Sequence, residues 1–154
     1  MEATIAGLRV WPIWRELKSI AVTAICEDCS TSARADEFCL TLSRCLAPNC
    51  KISKRLWLLS ELRPPQLRSV AAGEAAQADL VIISIHHAES LPEGMENWID
   101  LWLRQKGNRA TVMLALFDSL HLGSSTSIRT HLEELAKTEN MEFLAQSEEA
   151  PEDR

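Results

Sequence analysis

From Ser19 onward, short apolar runs alternate with amphipathic stretches, the pattern of parallel strands joined by crossover helices. Ile20 to Ile25 predicts a first strand, followed by a helix over Ala33 to Leu46 whose apolar positions Ala35, Phe38, Cys39, Leu42, Cys45 and Leu46 share one face. Pro48 and Asn49 stop that helix. Ile52 to Leu59 begins polar and ends apolar, as an exposed edge strand does. Pro64 and Pro65 open a second helix with an expected inward side of Leu67, Val70, Ala71, Ala75 and Ala78. Leu80 to Ile85 is β-branched and apolar on both faces, which suits a central strand covered on both sides. Pro92 begins a third helix, with Met95, Trp98, Ile99 and Trp102 inward and Gly107 as its stop. Thr111 to Phe117 repeats the buried-strand composition. Ile128, Leu132, Leu135 and Ala136 then form a fourth helical face, and Met141 to Ala145 a short last strand.

Five strands alternating with four helices predict an α/β doubly wound, three-layer domain with a five-stranded parallel sheet in the order 2-1-3-4-5. Residues 1–18, with Trp11, Pro12 and Trp14, read as an arm packed on the domain at 19–145. Residues 146–154 are acidic, nearly without apolar side chains after Ala150, and read as a disordered tail. Unbroken apolar runs such as Leu80 to Ile83 are far shorter than the about 20 residues of a membrane span. The start at Met1 and Glu2 lacks the basic flank and apolar core of a secretory signal, so the expected location is cytoplasmic. A net charge of −6 offers no electrostatic drive toward nucleic acid or anionic membrane. Lys51, Lys54 and Arg55 fall on the expected edge strand, where charge blocks edge-to-edge pairing. Five cysteines, an odd number, suit reduced thiols better than a disulfide framework.

In such a sheet, ligands bind beyond the carboxyl ends of the strands where strand order reverses. That directs attention to Cys26 to Ser32, His86 to Leu91 and Asp118 to Ser124. Ala78-Asp79-Leu80-Val81-Ile82-Ile83-Ser84, followed by Leu91-Pro92-Glu93-Gly94-Met95-Glu96-Asn97-Trp98-Ile99-Asp100, resembles a stretch of the NAD(P)H-dependent FMN reductases, proteins of flavodoxin-like fold. The resemblance implies a flavodoxin-like fold and FMN as cofactor, with the flavin carrying out hydride or electron transfer. It also implies a homodimer formed near the third helix. It would put Ser30, Thr31, Ser32 and Arg34 at the FMN phosphate, His86 and His87 beside the ring, and Asp118 and Ser119 in the remaining loop. Where the family usually carries Pro-Glu-Tyr-Asn, this chain has Ile85-His86-His87-Ala88-Glu89 and no tyrosine anywhere. Glu27, Asp28, Asp36 and Glu37 also crowd the loop that would meet a phosphate dianion.

Other constellations are weaker. Cys26-Glu27-Asp28-Cys29 is a C-x-x-C at a strand-to-helix junction, but the intervening acids raise rather than lower thiol pKa values. Adding Cys45 and Cys50 gives a spacing like that of a four-cysteine zinc site, against which the helical placement of Cys45 favours core packing. Glu27 and Asp28 resemble the acidic pair of a phosphorylatable receiver domain, yet Ser84, Ile85 and His86 stand where its phospho-accepting aspartate belongs. Asp118, Ser119 and His121 have hydrolase residue types without triad spacing, and neither a G-x-S-x-G elbow nor a Walker loop occurs. Two functions therefore stand side by side, leaving open whether the chain is an enzyme. One is an FMN-binding reductase-like protein; the other is a cofactor-free binding or regulatory module on the same fold, whose partner contacts the acidic loops or the N-terminal aromatic arm. A flavin or another small molecule is expected at the carboxyl ends of the strands.

Overall fold

The computed structural model describes residues 18–46, 50–86, 91–119 and 126–148. The elements follow as β1 (Ser19–Cys26), α1 (Cys29–Leu46), β2 (Lys51–Leu58), a 3-10 turn (Leu59–Leu62), α2 (Pro65–Ala76), β3 (Leu80–Ile85), α3 (Met95–Lys106), β4 (Val112–Ser119), α4 (Thr126–Thr138) and β5 (Glu142–Glu148). All neighbouring strands pair parallel, in the order β2-β1-β3-β4-β5. This is the doubly wound, flavodoxin-like three-layer α/β architecture expected from the periodicity, and its strand order reverses between β1 and β3.

Strand alternation sorts the core into two layers. Ile20, Val22 and Ala24 of β1, Leu80 and Ile82 of β3, and Leu114 and Leu116 of β4 share one layer with Ala35, Phe38, Cys39 and Leu42 of α1. The intervening residues Val81, Ile83, Ile85, Met113, Ala115 and Phe117 face α2, α3 and α4. There the side of α2 made of Ala71, Ala72, Ala75 and Ala76 belongs to the same layer as the large Trp98 and Trp102 of α3, small facing large as close packing requires. The two indoles are fully buried and stack with centroids 5.6 Å apart.

Several boundaries and faces differ from the sequence-based expectation. Leu67 and Val70 are exposed on the outer side of α2 rather than turned inward, because alanines let that helix approach its neighbour more closely than branched side chains would. The first helix begins at Cys29, not Ala33, since Asp28 caps it. Strand β4 continues through Asp118 and Ser119, which were expected in a loop, and a register shift lies between Phe117 and Ser119. Gln146, Ser147 and Glu148, expected in the tail, extend β5 by pairing with Leu116, Phe117 and Ser119. Backbone pairing offsets their polar composition, which hydrophobic patterning does not register. The arm at 1–17 and the tail from 149 lie outside the described residues. Among the described residues, no helix is long and apolar enough to cross a membrane.

Candidate functional site at the β1 and β3 strand ends

At the carboxyl end of β1 the chain must leave the sheet and start α1 within two residues, Glu27 and Asp28. Asp28 is well suited to this turn, because its short carboxylate can accept from the N–H groups that a helix start leaves unpaired. Its Oδ1 accepts the Thr31 N–H at 3.1 Å, while its own N–H donates to Thr31 Oγ1 at 2.9 Å. The pair is a reciprocal capping box with threonine in the position usually taken by glutamate or glutamine. The Thr31 hydroxyl hydrogen faces the Asp28 carbonyl oxygen at 3.0 Å, with Oδ1 at 3.2 Å as the other acceptor.

The end of β3 is stitched to the same turn. Buried Ser84 donates its hydroxyl to the Thr31 carbonyl oxygen at 2.8 Å, and its own carbonyl oxygen accepts the Glu27 N–H at 3.0 Å. The His86 N–H donates to Glu27 Oε1 at 3.0 Å, and His86 Nε2 lies 2.7 Å from Asp28 Oδ2. The hydrogen bond to His86, then the one from the Thr31 N–H, holds the Asp28 carboxyl down at about 2, so it is ionised across the neutral range. This negative charge sits where a helix N-terminus favours an anion.

The residues expected to contact a cofactor are thus placed differently from one another. Ser30 is exposed in the first turn; Thr31 is fully buried with its hydroxyl and N–H engaged by Asp28; Ser32 is half-buried, its N–H bonded to the Asp28 carbonyl oxygen at 2.9 Å. Arg34 lines a separate cavity of about 380 Å³, with Phe38, Leu116 and Gln146, between α1 and the β4 and β5 strands. His86 joins the Asp28 turn, His87 lies outside the described residues, and Asp118 and Ser119 belong to β4 with side chains that also lie outside them. Cys26 is buried and Cys29 exposed. Burial pushes the Cys26 thiol up to about 12, outweighing the hydrogen bond from Ser32, so this cysteine is not an activated thiolate. Among the described residues, no group of three or more His, Cys, Asp and Glu side chains could hold a metal ion.

No family model matches the chain, and no curated protein matches it. The likeness to the FMN reductases therefore receives no support from relatives, and the shared ground is the fold.

A larger cavity, about 600 Å³, opens over the end of β1 between the segments that follow β2 and β3. Glu27 reaches it from β1, Ser60, Arg63 and Arg68 from the β2 side, and Glu93 and Asn97 from the start of α3. Its volume falls in the usual range for small-ligand sites, roughly 300–1,000 Å³, and it adjoins the point where strand order reverses. Sequence reasoning did not single out Asp28 as a cap, Ser84, or the arginine pair. The spacing Asp28-x-x-Thr31 and the lone hydroxyl in the apolar run of β3 were the available signals for the first two. Nothing local marked Arg63 and Arg68 as cavity residues.

Proposed function

We propose that this chain is a flavodoxin-like binding module that recognises a small molecule at the carboxyl ends of its strands without using a flavin. The observation that carries the reading is the Asp28 carboxylate, which caps α1 through the Thr31 N–H and pairs with His86. An FMN phosphate in this turn would have to displace it or lie against its charge, and like charges at such range repel strongly in a partly desolvated site. The buried Thr31 hydroxyl, committed to Asp28, is a further obstacle. The open cavity beside Glu27 supports a ligand at the same end of the sheet.

Titration of the purified chain with FMN, followed by absorbance and by quenching of flavin fluorescence, tests the reading. Free flavin at tens of micromolar protein is the expected result. Micromolar binding that weakens in Ser32→Glu or His86→Ala would overturn it in favour of the reductase-like FMN protein, and assays with NADH and NADPH would follow.

A further inference from the structure

Deepening the binding-module reading, on which it rests, we infer that the cavity over the end of β1 takes a small zwitterion of the amino-acid type, its carboxylate on Arg63 and Arg68 and its ammonium on Glu27 and Glu93. The two signs of charge approach the cavity from different connections. Arg63 and Arg68 come from the segment after β2, whereas Glu27 directly follows β1 and Glu93 precedes α3. Two guanidinium groups and two carboxylates leave the lining neutral in sum and separated in space. A ligand carrying a single charge would leave one pair without a counter-charge, and a zwitterion matches both.

The individual groups are prepared for this. Arg68 donates Nε to the Leu62 carbonyl oxygen at 3.0 Å and Nη2 to that of Arg63 at 2.8 Å, so its guanidinium is fixed by neutral acceptors while its charge is left uncompensated. A guanidinium has five N–H donors, and those beyond these bonds have the planar geometry that receives a carboxylate. Among the described residues, neither Arg63 nor Arg68 pairs with a carboxylate, and neither Glu27 nor Glu93 pairs with a basic side chain. Glu27 is held in place through one oxygen, Oε1, by the His86 N–H, which leaves Oε2 to accept from an ammonium. Ser60 and Asn97 add neutral donors and acceptors to the lining.

Calorimetric titration of the intact chain with acetate, propylamine, inorganic phosphate and a series of ω-amino acids of increasing chain length tests the inference. At least one amino acid of the series is expected to bind at least tenfold more tightly than acetate and propylamine, with the preferred chain length reporting the distance between the charged ends. Arg63→Gln, Arg68→Gln and Glu27→Gln should each weaken that binding about tenfold, or ~1.4 kcal/mol, and Lys137→Gln on α4 should not. Because Arg68 also tethers two carbonyls, Arg63→Gln, whose side chain makes no hydrogen bond among the described residues, is the decisive variant if Arg68→Gln unfolds. Equal binding of the single-charge probes, absence of saturation by any amino acid, or phosphate binding that is indifferent to Glu27→Gln would each overturn the inference. Failure here with no FMN binding leaves the flavin-free reading standing, whereas FMN binding removes both.

Discussion

Asp28 ties three tasks to one carboxylate: it caps α1, it bonds the end of β3 through His86, and it carries negative charge at the strand ends. Half of its side chain is exposed, so solvent screens the pair with His86 and most of its worth lies in the cap. Asp28→Ala should therefore cost about 1 kcal/mol at neutral pH, the usual value of a lost N-cap. The pH dependence has a definite sign. The folded carboxyl titrates at about 2, below the roughly 3.9 of an unfolded aspartate. Its contribution is complete above the unfolded value and declines as pH falls through that window toward 2. Urea unfolding of both proteins between pH 2 and 6 measures this, and a stability difference that stays constant over the range would contradict the account of Asp28.

Among the elements, α2 shows most directly how side-chain size sets packing. Its buried positions are alanines in the same layer as Trp98 and Trp102, and Gly73 lies where a Cβ would meet Gln105 Oε1 at 3.4 Å. That contact is ordinary and is made by the far end of a flexible side chain. Gly73→Ala should thus gain much of the difference in helix propensity, ~0.5–1 kcal/mol, with little steric penalty. A denaturant midpoint that falls instead would mean that the α2 and α3 interface tolerates no added methyl group. The outward turn of Leu67 and Val70 has the same origin. Periodicity marks both sides of an alanine-rich helix as apolar, and the preference for close approach selects the side with the smaller residues.

For the whole molecule, the two covered faces and the reversal of strand order set both rigidity and the place of the site. Every residue of β3 is buried, between β1 and β4, whereas β2 is an edge strand with no buried residue. Native-state hydrogen exchange should find the β3 amides the slowest to open and those of β2 opening with a smaller free energy. Equal protection of the two strands would mean that only global unfolding exposes either of them. The charge on β2 fits its position: Lys54 pairs with Asp36 of α1, and Arg55 with Glu74 of α2, so the edge is tied back to helices on both faces. The 600 Å³ cavity lies on the end of the sheet that this arrangement leaves open.

The order of strands and helices was legible in the sequence, because a period of two or of 3.6 is a local property that survives without knowledge of neighbours. Leu80 to Ile85 was readable as the central strand from another local signal, its β-branched composition apolar on both faces, and Gly107 as the end of α3 from the stop a glycine supplies. Polar pairing carries no such period. His86 and Asp28 are 58 positions apart, Ser84 and Thr31 are 53 apart, and each pair meets only because β3 lies beside β1. The hydroxyl run Ser30 to Ser32 signalled a helix start, and the fold turned Thr31 inward, where it bonds Asp28 and accepts from Ser84. Arg63 and Glu27 likewise share a cavity through the placement of β2 next to β1. Hydrophobic patterning determined which layers form, and tertiary structure decided which charges face one another across the ends of those layers.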